Sequence, residues 1–517
     1  MTARRPHVLL ICIDALRYDC VNWQPQTPYF DLFNLPRRLT TPALDALAAQ
    51  SVRFPRAVSH AGYTPLSLAT TLTGAYARGH GVIDFQNTTC RPHVRSLPEL
   101  FAAGGYRTAA VCGPEWFGSL GLSRGVQRVG QDERVVLDAL AEPDDSPLFA
   151  FLHFNDVHSP YGYTFWDDAA CDNRDFALFM WTHFGLQFDL AAREFVDRQG
   201  RRAGLDQWDG IVASACPADR QAERSLLLFK AYLHGIDKFD QVRLARFVNA
   251  LGRSGVLDSS IVCVFADHGE IVAPRMPWVL GHGKFLTEQL QRVPLMIRAP
   301  GLRPRDVAPL AGLVDLAPTL LELAGLERRW DALDYERDGR SLIPAMESNR
   351  PAQPHYFQEG WSVRVAADRA WPTLFQRAVR TQDDRLLLAH GTELAASEYE
   401  EMSLEAAARY FVERGLGEIA YPQTCGELAG HLRAGVSRAA LAAEIERAHP
   451  RFQCFDVAGD PLMRTPRVLT RSTATALERG WADEIERLTG TGNAAGLTAG
   501  TEDAILKHLG ELGYVEA

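Results

Sequence analysis

Short apolar runs alternate with amphipathic stretches along most of the first 349 residues. HVLLICID, PLFAFLHF and SSIVCVFADHGE are apolar runs that end in polar or charged residues, a pattern typical of strands buried on both faces of a parallel sheet. Between such runs, SLATTLTG, SLPELFAAGG and FDQVRLARFVNALGRSG have helical spacing and end at glycine. This alternation predicts an α/β fold with a doubly wound, mostly parallel sheet.

Two segments depart from this rhythm. Residues 161–223 are rich in Asp, Arg and aromatic side chains without a clear period, and they predict an insertion over the edge of the sheet. Its aromatic residues suit a lid over a substrate, a small satellite core or a dimer contact. After residue 349, RAVRTQDDRLLLAH predicts two strands around a turn, followed by a helical stretch at 403–448 and a closing helix in EDAILKHLGELG. We therefore predict a large α/β domain over 1–349 and a smaller C-terminal α+β subdomain over 350–517.

Composition narrows the classes of protein that the chain can represent. Hydrophobic residues at 46% and charged residues at 23% are ordinary for a globular protein. The net charge of −10 comes from charges spread along the chain without basic clusters. This pattern argues against nucleic-acid binding and against a polybasic surface that binds membranes. The early apolar run VLLICI is too short for a membrane span or a signal peptide, and the nine scattered cysteines suit free thiols. The expectation is a cytoplasmic protein.

Polar clusters follow four of the predicted elements, where the carboxyl ends of strands would meet at one edge of the sheet. Each has an ordinary explanation as a helix cap, an ion pair or a polar loop. Burying many ionisable groups together is costly, however, unless they are paired or bind a metal, so the clusters favour a metal site. They are IDALRYD with Asp14, Arg17 and Asp19; GYTPLSLATTLTG with Thr64; HFNDVHSPYGY with His153, Asp156, His158 and Tyr161; and FADHGE, with Asp267, His268 and Glu270, followed by GHGKF with His282 and Lys284.

These motifs resemble the sulfatase branch of the alkaline phosphatase superfamily. HVLLICIDALRYD is similar to the N-terminal strand with its metal-binding aspartate, and TPLSLATTLTGAYARGHGV to the nucleophile helix. LHFNDVHSPY, VCVFADHGE and GHGKFLTEQLQRVPLMIRAPG follow in the family's order, and AVRTQDDRLLL and CFDVAGDPLMR resemble its C-terminal subdomain. The resemblance implies the fold of that family and an enzyme that acts on a small-molecule ester.

The nucleophile motif departs from the family pattern. Sulfatases carry C-x-P-x-R, in which the cysteine or serine is oxidised to formylglycine. Aligned on the following Leu-Thr-Gly, that position is Thr64 and the arginine position is Leu68. Threonine cannot give the aldehyde hydrate, so a sulfatase mechanism based on formylglycine is not expected.

The metal motifs depart as well. Asp14-Ala15 replaces the usual paired aspartates, and Asp267-His268 replaces Asp-Asn. The set Asp14, Thr64, Asp267 and His268 resembles that of superfamily members that handle phosphoryl groups, including phosphodiesterases and phosphoethanolamine transferases. A histidine ligand also favours Zn²⁺ or Mn²⁺ over Ca²⁺ or Mg²⁺.

The resemblance implies roles for the remaining residues. Thr64 would be the nucleophile and a ligand of the first ion. His158 and His282, with Asp156, would hold a second ion or would bind the substrate and protonate the leaving group, so one or two ions are expected. Lys284 would place a positive charge on the transferred group. Arg17 and Arg78 would orient the site or form ordinary ion pairs.

Several functions fit these roles. The leading hypothesis is a metal-dependent hydrolase of phosphate or phosphonate esters. A soluble transferase to an alcohol acceptor and a sulfate-ester hydrolase without formylglycine are alternatives, and a non-catalytic binding homologue is disfavoured because the site residues are retained. The expected partner is a small-molecule ester, not nucleic acid or a membrane, and a homo-oligomer is left open.

Overall fold

The structure is a computed structural model. It describes residues 5–25, 30, 39–85, 88–158, 161, 186–189, 192, 194–204, 221–272, 280–283, 286–335, 337–366, 369–390, 452–460, 463 and 467–468. The predicted helices at 403–448 and near the C-terminus, most of the 161–223 insertion, and Lys284 lie outside these residues.

The strands of the described residues, numbered β1 to β20 in chain order, are Val8–Ile13, Val52–Arg53, Ala57–Val58, Arg107–Val111, Arg128–Gly130, Leu148–Phe154, Leu186–Asp189, Glu194–Asp197, Arg202–Gly204, Ile261–Phe265, Ile271–Val272, Leu280–Gly281, Leu295–Arg298, Arg305–Asp306, Ala311–Gly312, His355–Ala366, Arg369–Thr381, Arg385–His390, Phe452–Asp456 and Arg467–Val468. The α-helices, α1 to α13, are Pro42–Ala49, Thr64–Thr73, Ala77–His80, Leu97–Ala103, Pro114–Ser119, Arg134–Ala141, Gln221–Lys238, Ala245–Arg253, Val256–Ser259, Glu288–Gln291, Leu316–Leu323, Glu327–Asp331 and Ile343–Ser348. Two 3₁₀ turns, Tyr18–Cys20 and Leu313–Asp315, and a π-helix, Phe239–Leu244, complete the set.

Eight strands form the large sheet, in the order β14-β2-β13-β10-β1-β6-β4-β5. The five strands from β10 to β5 run parallel, whereas β13 is antiparallel to both of its neighbours. Strands β1, β6 and β10 are buried along their whole length, as their uninterrupted apolar sequences predict. The predicted α/β fold with a mostly parallel sheet is therefore confirmed.

A second, five-stranded antiparallel sheet contains β16 to β20 in sequential order. The predicted strand pair in RAVRTQDDRLLLAH corresponds to the end of β17 and to β18. This sheet packs against the large domain through an apolar cluster that includes Val58, Tyr76 and Tyr356, and the Tyr356 hydroxyl donates to Oδ2 of Asp315 at 2.5 Å. The second sheet is thus a separate, smaller unit, while the boundary at residue 349 stays a prediction.

In the described part of the insertion, β7, β8 and β9 form a small antiparallel sheet. The lid, satellite-core and dimer-contact interpretations of the insertion all remain predictions.

Candidate active site

The carboxyl ends of β1, β6 and β10 meet at one edge of the large sheet. Cys12 of β1 is in register with His153 of β6 and with Phe265 of β10. Because side chains alternate along a strand, Asp14 and Asp267, each two residues beyond these positions, extend the same face of the sheet. Both carboxylates are buried. The fold thus places two of the predicted metal ligands side by side.

A tight turn fixes these two carboxylates relative to each other. Ala15, directly after Asp14, has a φ of 58°, in the left-handed region that a residue with a Cβ rarely adopts. Its N–H donates to Oδ1 of Asp267 at 3.3 Å, and the N–H of Asp14 donates to the Phe154 carbonyl at 2.9 Å. The unusual backbone at Ala15 therefore serves the site, as strained positions often do.

Asp14, Asp267 and His268 bring hydrogen-bond acceptors together. A ligand atom from each residue lies within 4.8 Å of the others, and Nε2 of His268 is 3.5 Å from Oδ1 of Asp14 and from Oδ2 of Asp267. These two oxygens are buried without a hydrogen-bond partner among the described residues. Nδ1 of His268 is 2.8 Å from the Gly269 carbonyl, so Nδ1 carries the proton and Nε2 is left as the acceptor. Hydrogen-bond acceptors that face one another in a buried site are stabilised by a cation. Two carboxylates and one imidazole are ligands that fit a divalent transition metal.

The pKa values follow from this crowding. Burial, reinforced by the charges of Asp267 and Glu270, raises the pKa of Asp14 well above its usual value. Burial has the same tendency at Asp267, but the rings of His268 and His153, together with hydrogen bonds from the N–H groups of Ala15 and His268, outweigh it and lower the pKa of that carboxyl. Burial also lowers the pKa of His268, which favours the neutral ring that metal binding requires.

Thr64 lies at the start of α2 and faces the same acceptors. Its Oγ1 is 3.2 Å from Nε2 of His268, and its side chain is buried. Pro65 in the first turn has the fixed φ that suits a helix start. One turn later, Ser67 donates to the carbonyl of Asp267 at 2.7 Å, which anchors α2 to the end of β10. The structure therefore brings together Thr64 and the three predicted metal ligands.

A second group, His158, His282 and Glu270, lies next to the first. Nε2 of His158 is 3.2 Å from Nε2 of His282, and Nδ1 of His282 is 3.2 Å from Oε1 of Glu270. The His282 ring also stacks on that of His268, with centroids 4.5 Å apart. When Nδ1 of His282 donates to Glu270, Nε2 of His282 is an acceptor, so Nε2 of His158 is the donor. His282 thus links His158 and Glu270 to the predicted metal ligands, and both predicted roles of the two histidines, second-ion ligand and acid/base group, stay predictions.

Glu270 is a fully buried carboxyl group at the end of this series of three side chains. Burial raises its pKa to about 7, against the opposing effects of His158, His268 and Arg17. Its Oε2 also lies 3.5 Å from the Tyr161 hydroxyl. The sequence cluster FADHGE contained Glu270 but gave it no role, because its partner His282 comes twelve residues later.

Other predicted residues have different surroundings. Oδ2 of Asp156 accepts from Nη1 of Arg243 at 2.8 Å, so this oxygen is engaged by a cation of the protein itself. Arg17 is fully buried, with its Nε and Nη2 bound to Asp19 at 2.8 and 2.7 Å. Arg78 pairs with Asp338. Both arginines thus form the ion pairs that were one of their two interpretations.

A pocket opens beside the carboxylates. Its polar wall includes His153, a histidine in the otherwise apolar β6, whose Nε2 lies 3.4 Å from Oδ2 of Asp14. That interruption of an apolar strand was the available signal for His153, although the sequence gave it no role. Trp116 stacks edge-on against His153, with centroids 5.4 Å apart. The full lining is Asp14, Thr64, Phe85, Cys112, Gly113, Trp116, Gln131, His153, Asn155 and His158.

Comparison with known proteins places the chain in a family. The sulfatase family model matches residues 6–119 and 130–326, which is more than half of the chain. Among the described residues, no helix has the length and apolar character needed to cross a membrane.

The similar curated proteins include both sulfatases and a synthase. Lipoteichoic acid synthase 2 of Bacillus subtilis is 36% identical over 118 residues, 22% of this chain and 17% of that protein. Choline-sulfatase of Rhizobium meliloti is 31% identical over 130 residues, 24% of this chain and 23% of that enzyme. The matches thus span less than a quarter of these two relatives. N-acetylglucosamine-6-O-sulfatase of Bacteroides thetaiotaomicron is 22% identical over 434 residues, 68% of this chain and 74% of that enzyme.

Solved structures extend the likeness of fold to nearly the whole chain. A 2-O GAG sulfatase superposes with a TM-score of 0.57 at 17% identity, covering 96% of both chains. A protein solved with its substrate D-glucosamine-2-N,6-O-disulfate gives a TM-score of 0.56 at 15% identity, covering 94% of this chain and 98% of that one. At this identity the likeness concerns the fold, and the predicted sulfatase-like architecture is confirmed.

Proposed function

The chain belongs to the sulfatase family, a family of ester hydrolases in the alkaline phosphatase superfamily, and we propose that it is a metal-dependent hydrolase of phosphate or phosphonate esters with Thr64 as nucleophile. The observation that carries the proposal is the position of Thr64 Oγ1, 3.2 Å from Nε2 of His268 and beside the buried oxygens of Asp14 and Asp267. A hydroxyl group at that position would lie next to the bound ion, which would activate it as a nucleophile.

The ligand atoms of the site suit a divalent ion. Zn²⁺ or Mn²⁺ is preferred because one of the ligands is an imidazole. Asp14, Asp267, His268 and Thr64 would hold it. When bound, such an ion supplies a positive charge that lowers the pKa of a neighbouring hydroxyl group and stabilises charge on a non-bridging oxygen.

The residues of the chain then account for the remaining steps. Thr64 gives its hydroxyl proton to solvent, and its oxygen bonds to phosphorus as the bond to the leaving-group oxygen breaks. His158, in its protonated imidazolium form, would give a ring proton to that leaving oxygen and regain it from solvent, while His282, held by Glu270, contacts the His158 ring. Water then cleaves the phosphothreonine ester and restores Thr64.

The test is the Thr64→Val variant, which replaces the hydroxyl group with a methyl group of similar size. We expect hydrolysis of aryl phosphate mono- and diesters and phosphonates to fall by about 10⁴-fold or more, because the covalent route is removed. Thr71→Val is the matched control, since Thr71 lies on the same helix and its hydroxyl bonds only to the Ser67 carbonyl among the described contacts. Normal turnover by Thr64→Val would overturn the proposal.

The substrate panel includes the corresponding aryl sulfate. Sulfate esters stay an alternative because the curated relatives include sulfatases, although Thr64 cannot supply formylglycine. A rate with the sulfate that exceeds the phosphate rates would select a sulfate-ester hydrolase.

A second candidate function is a transferase that passes the phosphoryl group from Thr64 to an alcohol. It is favoured by the similarity to a protein named as a synthase, lipoteichoic acid synthase 2. Adding glycerol to the assay and measuring glycerol phosphate against free phosphate separates the two. A product ratio that greatly exceeds the molar ratio of glycerol to water would select the transferase.

A further inference from the structure

A buried group of charges lies beside the pocket and is not used in the proposed steps. Arg243 donates through Nη1 to Oδ2 of Asp156 at 2.8 Å and through Nε to Oε2 of Glu133 at 3.0 Å. The three side chains are 2%, 5% and 3% exposed. Arg246, whose side chain is 51% exposed, binds the other oxygen of Glu133 at 2.6 Å. We call Arg243, Asp156 and Glu133 the Arg243 cluster.

Arg243 joins two segments that line the pocket. Its Nη2 donates to the carbonyl of Gln131 at 3.4 Å, and its Nη1 holds Asp156, which lies between Asn155 and His158 in the chain. Gln131, Asn155 and His158 all face the pocket. One guanidinium group therefore sets the spacing between two parts of the pocket wall.

Arg243 is itself firmly placed. It lies on the π-helix Phe239–Leu244, an irregularity often found at functional sites, and its guanidinium is 4.8 Å from the centroid of the Phe154 ring. Asp240, on the same turn, accepts the N–H groups of Ala43 and Leu44 at 2.9 and 2.7 Å. The π-helix is thus tied to the start of α1, so Arg243 projects from a fixed support.

The charge of Arg243 bears on the role of Asp156. A metal ion that bound Asp156 would lie close to a guanidinium group that already contacts Oδ2, and the two positive charges would repel each other in a buried environment. The same contact holds the segment Asn155–His158 from behind. Asp156 therefore suits a structural link to His158 better than a ligand.

We propose that Arg243 is a positioning residue that acts through Asp156 to hold His158 where it can protonate the leaving group, and that Asp156 has this role instead of binding a second ion. The inference rests on the proposed function, because it requires a leaving group at this site. It extends that function by giving a role to residues that lie behind those lining the pocket.

Two aryl phosphates that differ in their need for a proton test the proposal. We expect Arg243→Lys and Asp156→Asn to lower kcat for the phenyl ester by about 10- to 100-fold, with a much smaller effect on the 4-nitrophenyl ester, whose leaving group needs little protonation. His158→Gln should give the same selectivity. The double variant Arg243→Lys/Asp156→Asn should lose no more than either single variant, because both break one link.

Arg246→Lys is the matched control, because Arg246 touches Glu133 without contacting Asp156, and it should keep wild-type rates with both esters. Metal content should be the same in wild type and both cluster variants. The proposal would be overturned if kcat fell equally for the two esters or if the losses in kcat were additive in the double variant. It would also be overturned if an ion were lost only from Asp156→Asn. If Arg243→Lys does not fold, Asp156→Asn decides the selectivity and the metal content.

Failure of the proposed function is a distinct result. A metal-loaded wild-type protein that cleaves neither these two esters nor the aryl phosphate diesters and phosphonates would refute that function. The ring ¹⁵N signal of His158, assigned with His158→Gln, would then test the link directly, since it should shift in Asp156→Asn and stay unchanged in Arg246→Lys. An unchanged His158 signal in Asp156→Asn would overturn the positioning role.

Discussion

The substitution Gly269→Ala tests how closely the segment with the proposed metal ligands Asp267 and His268 packs against its neighbour. A Cβ on Gly269 would lie 2.0 Å from the carbonyl oxygen of Gln289, where real Cβ contacts are not found under 3.0 Å. The obstacle is backbone, which cannot rotate away as a side chain could. Either the Gly269 segment or the Gln289 segment must therefore move by about 1 Å.

That movement bears directly on His268. The Gly269 carbonyl accepts from Nδ1 of His268 at 2.8 Å, and the Gly269 N–H donates to the Leu290 carbonyl at 2.9 Å. A shift of about 1 Å in a positioned catalytic group can cost about 10²-fold in rate, and loss of a hydrogen bond behind a metal ligand costs about 10- to 100-fold in metal affinity. We therefore expect Gly269→Ala to lower both kcat/KM and zinc or manganese affinity by about 10²-fold.

The assay is metal titration of the chelated protein, followed by ester hydrolysis at saturating metal. Gly252→Ala is the control, because a Cβ on Gly252 meets nothing within 4 Å and the residue lies on α8, where alanine should stabilise the helix by up to about 1 kcal/mol. Wild-type metal affinity and activity in Gly269→Ala would show that the close contact does not constrain His268.

Three further predictions concern metal, acid/base chemistry and stability. Chelation should abolish hydrolysis and lower Tm, and Zn²⁺ or Mn²⁺ should restore both better than Ca²⁺; activity that survives complete metal removal would contradict the site. Glu270→Gln should lower kcat by about 10- to 100-fold with little change in metal content, because His282 loses its carboxylate partner; an unchanged pH–rate profile would count against this. Burial raises the pKa of Asp240 to about 6, so its protonated form is favoured in the folded state, and the free energy of unfolding should fall as pH rises from about 4 to 6. Asp240→Asn should make that decline smaller than in wild type, because burial also raises the pKa of Glu270 to about 7 and that of Asp315 to about 6, and urea denaturation at several pH values would show it.

Much of the fold could be predicted because its main signals are local. The apolar sequences of β1, β6 and β10 require burial on both faces, which a parallel sheet covered by helices on both sides provides. Once those strands are parallel neighbours, the residues that follow them must share one edge. That Asp14, Asp267 and His268 lie at one edge could be anticipated for this reason, whereas their direct proximity depends on β1 and β10 being neighbours in the sheet.

The residues behind the site could not be predicted in the same way. Asp156 and Arg243 are 87 positions apart, and their contact depends on a π-helix that has no distinct signature in the apolar pattern. From sequence, Asp156 looks like a ligand because an acid stands two positions before a histidine. Only the position of Arg243 shows that this carboxylate already has a cationic partner.

The charge balance of the proposed metal site gives a reason for its departures from the family pattern. Asp14 and Asp267 contribute two negative charges, and the neutral His268 and Thr64 contribute none, so one divalent ion would neutralise the buried set. A second acid at position 15 would add a charge that the ion could not balance, whereas the side chain of Ala15 adds none and its backbone N–H donates to Asp267. With the ligand charge thus limited, an alkoxide at Thr64 would be the only excess negative charge, and it would form next to the cation that stabilises it. The replacement of an acid by Ala15 is therefore coherent with a threonine nucleophile, because it leaves more of the ion's charge to act on Thr64, while neutral His268 adds no more charge than the amide it replaces.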